Sequence, residues 1–146
     1  MYKIMVGVDG SIYAEHALDV AIEMAKLYNS RLIIVTVYSQ LHYLGYITSL
    51  KPDIPKDVVQ TLNTMLSKYK ERAKGAGVEE VETELLSIYK NLMSVGAMLV
   101  LEAEKIGCDA IVVGTRGLTG VKRTLLGSVA DYVLKNAHCD VHIVRR

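Results

Sequence analysis

The chain has 146 residues, 51% of them hydrophobic and 23% charged, with a net charge of +1. That length and balance predict one globular domain over residues 1–146, large enough to bury a core. They give no electrostatic case for a nucleic-acid partner, because no basic stripe interleaves with aromatics. Nothing approaches the ~18 uninterrupted apolar residues of a membrane span, and no signal peptide opens the chain. Cys108 and Cys139 form no CxxC pair and read as buried thiols of a reducing compartment. The expectation is a soluble, cytoplasmic protein.

Residues 3–9 (KIMVGVD) are a short apolar run ending in Asp-Gly, which predicts a strand and a turn. Ser11 stands where it would cap the next helix. From there Ala14, Ala17, Leu18, Ala21, Ala25 and Tyr28 recur at three- and four-residue steps, the apolar face of a helix of about five turns. Residues 31–38 (RLIIVTVY) form a second strand, apolar on both faces. A longer connection, 40–56, carries Pro52 and Pro55. A second helix is expected over 57–74, burying Val58, Leu62, Met65, Leu66 and Tyr69 and stopped by Gly75-Ala76-Gly77. A third strand is expected over 78–88 and a third helix over 94–105. The fourth strand falls at 109–113, a fourth helix at 129–137 and a fifth strand at Asp140–Val144. Strands apolar on both faces, alternating with helices, predict an α/β fold: a five-stranded parallel sheet of order 3-2-1-4-5 with helices on both faces, Rossmann-like in class.

The chemistry concentrates between residues 114 and 128, GTRGLTGVKRTLLGS: Gly114, two residues, Gly117, nine residues, then Gly127-Ser128. Glycines after a strand let backbone N–H groups approach an anion, and a helix start favours phosphate. Arg116, Thr119, Lys122 and Arg123 lie in the same stretch. Short glycine motifs are weak alone, so a phosphate cradle and a plain turn with a helix cap both stand. In open parallel sheets ligands bind beyond the strand ends where strand order reverses. The proposed order puts that crevice between strands one and four. Asp9 would accept hydrogen bonds from ribose or the adenine edge, Val37 would offer backbone groups and an apolar wall, and Gly127-Ser128 would meet phosphates. Taken alone, Asp9-Gly10-Ser11 reads first as a turn and cap, and Val37 as core first and ligand contact second. The convergence of separate elements on one crevice favours the site.

The opening KIMVGVDGS, the helix-strand segment AEHALDVAIEMAKLYNSRLIIVTV and the closing DAIVVGTRGLTGVKRTLLGSVADYVLKNAHCDVHIVRR carry a resemblance to the universal stress protein family over essentially the whole chain. The closing segment is the most specific, since it holds the pattern G-x2-G-x9-G-S that marks the family's ATP-binding branch. The resemblance implies an ATP-binding, adenine nucleotide alpha hydrolase-like protein that dimerises. On matching positions it implies that Gly7 and Asp9 lie beside base and ribose, and that Val37 meets adenine through its backbone. Gly114, Thr115, Arg116 and Gly117 would wrap ribose and phosphates, and Gly127, Ser128 and Val129 would hold the phosphate tail. Magnesium or another divalent ion would bridge the phosphate oxygens rather than sit in a protein cage. Two departures stand out. Asp140 follows Cys139 where the family often has Pro, and residues 91–95 replace a Gly-x-Pro turn, which leaves the start of the third helix open.

Catalytic constellations are missing. The chain has no G-x4-G-K-S/T loop, no Gly-x-Ser-x-Gly elbow and no His-x-Gly-His signature. His138, Cys139, Asp140 and His142 suggest a metal, but the two His stand ~13 Å apart on an extended strand, with Cys139 on the opposite face. The expectation is a regulatory protein that holds ATP, with at most slow hydrolysis, and whose conformation or partner choice follows the bound nucleotide. The alternatives are a slow ATPase or nucleotidyl-transfer enzyme, and a dimeric scaffold that takes AMP, cyclic AMP or no nucleotide. The last strand lies at a sheet edge, which predicts a homodimer through Asp140–Val144. Gly127→Val is expected to abolish ATP binding by filling the phosphate position.

Overall fold

The computed structural model describes residues 2–39, 56–88, 93–116 and 126–145. The elements run β1 (Lys3–Gly7), α1 (Ile12–Tyr28), β2 (Arg31–Ser39), α2 (Lys56–Gly75), β3 (Val81–Ile88), α3 (Val95–Ile106), β4 (Ala110–Gly114), α4 (Ser128–Asn136) and β5 (Asp140–Val144). The strands are all parallel, in the order β3-β2-β1-β4-β5 predicted from the sequence.

The sheet forms because its central strands carry apolar side chains on both faces, which only helices on both sides can cover. Alternation sends Ile4, Val6, Leu32, Ile34 and Val112 into one core with Leu18 of α1 and Leu66 of α2. It sends Met5, Ile33, Val35, Ile111 and Val113 into a second core with Leu99 of α3 and Val133 of α4. Successive right-handed crossovers place α1 and α2 on one face and α3 and α4 on the other. The chain changes direction across the sheet between β1 and β4, so their carboxyl ends part and leave a crevice.

Helix ends explain most differences from the expected boundaries. Asn29 (φ 49°), Gly77 (φ 111°) and Gly107 (φ 79°) adopt left-handed conformations. After each, an amide reaches back to a carbonyl of the last helical turn: Ser30 to Ala25, Val78 to Ala73 and Cys108 to Ala103. Val78 therefore belongs to the stop signal of α2, buried beneath it, and β3 starts at Val81 rather than at 78. Ser94 accepts a bond from the Ala97 amide and fixes the start of α3, which the sequence left open. On α2 Ala73 joins Leu62, Leu66 and Tyr69 in the core, while Val58 and Met65 are only partly buried. Tyr28, expected inside, is 60% exposed. It sits in the last turn of α1, where its ring meets Tyr2 at 5.3 Å. The 40–55 connection lies outside the described residues.

Candidate functional site

Two helices point their N-termini at the crevice, and they differ in how their free amides are answered. At α1, Asp9 Oδ1 accepts from the Ser11 amide (2.9 Å) and the Ser11 hydroxyl accepts from the Ala14 amide (3.1 Å). The turn and cap reading of Asp9-Gly10-Ser11 is thus realised in the structure. Asp9 also lies close enough to α2 for its charge to act on Tyr69. The Tyr69 hydroxyl is held above its ordinary pKa by burial first and then by the Glu15 carboxylate, with Asp9 adding to it. At α4, Gly127 is the capping residue and, among the described residues, no side chain caps the first turn. Ser128 is exposed there, and Val129 is half-buried against the second core. A helix start of this kind presents amides and a positive dipole end to an anion.

Between them lies the end of β4. Gly114 has no room for a side chain: a Cβ would stand 3.0 Å from the Tyr13 carbonyl oxygen and 3.3 Å from that of Arg116. Thr115 has both backbone groups engaged. Its amide donates to Val144 of β5 (3.1 Å) and its carbonyl accepts from the Gly127 amide (2.6 Å). A Cβ on Gly127 would meet that same Thr115 oxygen at 3.0 Å. The reason for glycine at 127 is therefore backbone packing against Thr115, and a valine there would strike protein before it reached a phosphate. Arg116 lays its guanidinium over the ring of Tyr13, 4.3 Å from the centroid.

Gly7 sits lower, inside the sheet. Its missing side chain makes room for Leu99 of α3, whose Cδ1 would be 3.0 Å from a Cβ. Val37 is better placed for a ligand. On β2 the Arg31 amide donates to Tyr2 and the Val35 carbonyl accepts from Val8, whereas the Leu32 amide turns the other way, to Glu80. Odd-numbered residues of β2 thus turn their polar groups toward β1. The β1–β2 register ends at Gly7↔Val35. Val37, two residues further, directs its amide and carbonyl past the end of β1, at the level of Asp9. The structure brings Gly114, Thr115, Arg116 and Gly127 into contact with one another and with Tyr13, and the register sets Val37 level with Asp9. Gly117, Thr119, Lys122 and Arg123 lie outside the described residues. Tyr13 was missed from the sequence, where only its place two residues after the Ser11 cap hinted at it.

Other polar clusters lie elsewhere. Arg72 of α2 bonds Glu15 (2.9 Å) and Asp19 (3.3 Å) of α1. An open groove of about 630 Å³ runs beside this clasp, lined by Thr64, Met65 and Lys68 among others. Two of its charged groups, Glu15 and Arg72, are already paired with each other, so the crevice is the stronger candidate. On β3 the Glu84 carboxyl is pushed up to about 7, by burial first and then by its hydrogen bond to Glu102 of α3. His138 pairs with Glu104 at 3.2 Å. Among the described residues no group of three or more His, Cys, Asp or Glu could hold a metal ion, and no helix is long and apolar enough to cross a membrane.

Sheet order, covering helices and crevice define a doubly wound α/β protein with its candidate site at the strand-order reversal. The model of the universal stress protein family matches residues 1–145. A Staphylococcus aureus (strain USA300) universal stress protein is 35% identical over 146 residues, covering 99% of this chain and 84% of the relative. Among solved structures, a universal stress protein in complex with cAMP shares 28% identity with a TM-score of 0.74, over 99% of this chain and 96% of that one. The universal stress protein from Archaeoglobus fulgidus in complex with dAMP shares 25% identity with a TM-score of 0.72, over 98% and 97%. The chain belongs to the universal stress protein family.

Proposed function

We propose that this protein binds ATP in the crevice between β1 and β4 and acts as a cytoplasmic regulator of the stress response, through conformation or partner choice. The observations that carry the reading are the start of α4, uncapped among the described residues, and the polar edge of Val37 turned past the end of β1. In this reading adenine lies against the Val37 backbone, and Asp9 receives the ribose hydroxyls. The phosphates run past Gly114, Thr115, Arg116 and Gly117 to the amides of Ser128 and Val129. A divalent ion travels on the triphosphate, bridging its oxygens. The nucleotide acts by differential affinity for two states of the protein. A homodimer through β5 belongs to the same proposal, supported by that strand's position at the sheet edge. Light scattering that gives a monomer at micromolar concentration contradicts the dimer.

A second reading takes AMP or cyclic AMP as the ligand. The relatives solved with cAMP and dAMP favour it. Calorimetry with ATP, ADP, AMP and cyclic AMP separates the two. ATP binding tightest supports the first reading, a monophosphate binding tightest supports the second, and binding of none of the four overturns both.

A further inference from the structure

The crevice mouth brings together two helix starts, their acidic first-turn residues and one cation. The N-termini of α1 and α4 both face it, each carrying the positive end of a helix dipole. Arg116 adds a full charge between them. Its Cα lies 3.5 Å from where a Gly127 Cβ would be, so its backbone abuts the start of α4. Its side chain runs from there to Tyr13, in the first turn of α1. Among the described residues Arg116 makes no ion pair. The nearby carboxylates have other work: Glu15 holds Arg72, and Asp9 Oδ1 accepts from the Ser11 amide.

A guanidinium without an ion pair would ordinarily swing to solvent. The negative face of the Tyr13 ring is what meets it at 4.3 Å. Tyr13 is half-buried, and its backbone is held against the end of β4 at Gly114. We infer that Tyr13 is a positioning residue: its ring parks the Arg116 guanidinium at the mouth of the crevice, so that the site selects nucleotides by phosphate charge. The inference rests on the nucleotide reading above and deepens it. Adenosine gains nothing from the parked cation, a monophosphate gains some attraction, and a triphosphate gains most. Holding the cation in place before the ligand arrives removes the cost of ordering a long side chain on binding.

The test is calorimetry of ATP, AMP and adenosine with the wild type, Tyr13→Leu, Tyr13→Phe, Arg116→Gln and the double variant Tyr13→Leu/Arg116→Gln, with melting curves to confirm folding. Tyr13→Leu should weaken ATP about tenfold, the worth of a partly desolvated cation–π contact, and leave adenosine within about twofold. Tyr13→Phe should match the wild type, since the ring and not the hydroxyl meets the guanidinium. Arg116→Gln should lose the same preference for ATP over adenosine and flatten the salt dependence. The double variant should be no worse than Arg116→Gln, because Tyr13 acts through Arg116. An unchanged ATP-to-adenosine ratio in Tyr13→Leu, or losses that add in the double variant, overturns the inference while the nucleotide reading stands. A wild type that binds no adenine nucleotide overturns both.

Discussion

At the start of α1 the protein answers its own amides: Asp9 takes the Ser11 amide and Ser11 takes that of Ala14. At the start of α4, on the other side of the same crevice, Gly127 offers no side chain and the turn is uncapped among the described residues. Glycine in place of a capping side chain costs a helix only about a few tenths of a kcal/mol, so the omission at α4 is cheap in the free protein. The contrast teaches which end is a structural joint and which is available to an anion. A helix that caps itself has little left to give, while an uncapped one gains most from a ligand that supplies the missing acceptors.

Closing the α4 end should have the largest effect. Gly127→Val drives a branched side chain into the Thr115 carbonyl, so it should displace the start of α4 and weaken ATP binding by about 100-fold, the worth of two hydrogen bonds to charged oxygens. The same overpacking should lower stability by about 1–3 kcal/mol, seen in thermal melts. Undiminished ATP affinity in calorimetry would show that the α4 end is not the phosphate grip.

A change remote from both helix ends should move stability without moving the ligand. The folded Glu84 binds its proton more tightly than the unfolded chain does, with a pKa about 7 against an ordinary 4.5. In that interval the native state carries more protons, so stability falls as pH rises from about 4.5 to about 7 and levels off above. Burial sets this, joined by Glu102, whose side chain is only 13% exposed, and by Glu82, with Lys105 opposing. Glu84→Gln should flatten the decline and stabilise the protein at pH 8, with ATP affinity unaltered. Urea melts at several pH values check it, and an unchanged slope would refute it.

Uncapping the α1 end is the mirror of Gly127→Val. Ser11→Ala should cost about 1 kcal/mol of stability and change ATP affinity less than about threefold. A large loss of affinity would mean that both helix ends hold the ligand, and the contrast would fail. Arg72→Ala should matter least. Its ion pairs with Glu15 and Asp19 are about half exposed, so less than about 1 kcal/mol is expected in a denaturant titration.

The architecture was readable because both-face apolar runs leave few ways to build a sheet. Strands, helices and the α1 cap follow from both-face apolar runs, period 3.6 and a serine before a helix, while the strand order was a supposition that the structure bears out. What escaped depends on what lies opposite a residue. Val78 looks like the first residue of a strand until Gly77 turns it under α2. Tyr28 keeps helical spacing but has only Tyr2 to meet. At Gly114 and Gly127 the requirement for glycine was legible, since glycine marks a close approach. What approaches was not: at both positions it is a carbonyl of the chain itself. Tyr13 carries no motif at all, and its place against Arg116 emerges only when α1 and the β4 loop are brought together.

Thr115 has both its backbone groups committed, one to the last strand and one to the last helix. Seen mechanically, it is a relay of two short links. Val144 and the Gly127 amide are joined through the two successive peptide groups of Thr115, with no side chain between. The rim of β5 and the start of α4 are thus tied at one residue, by backbone alone.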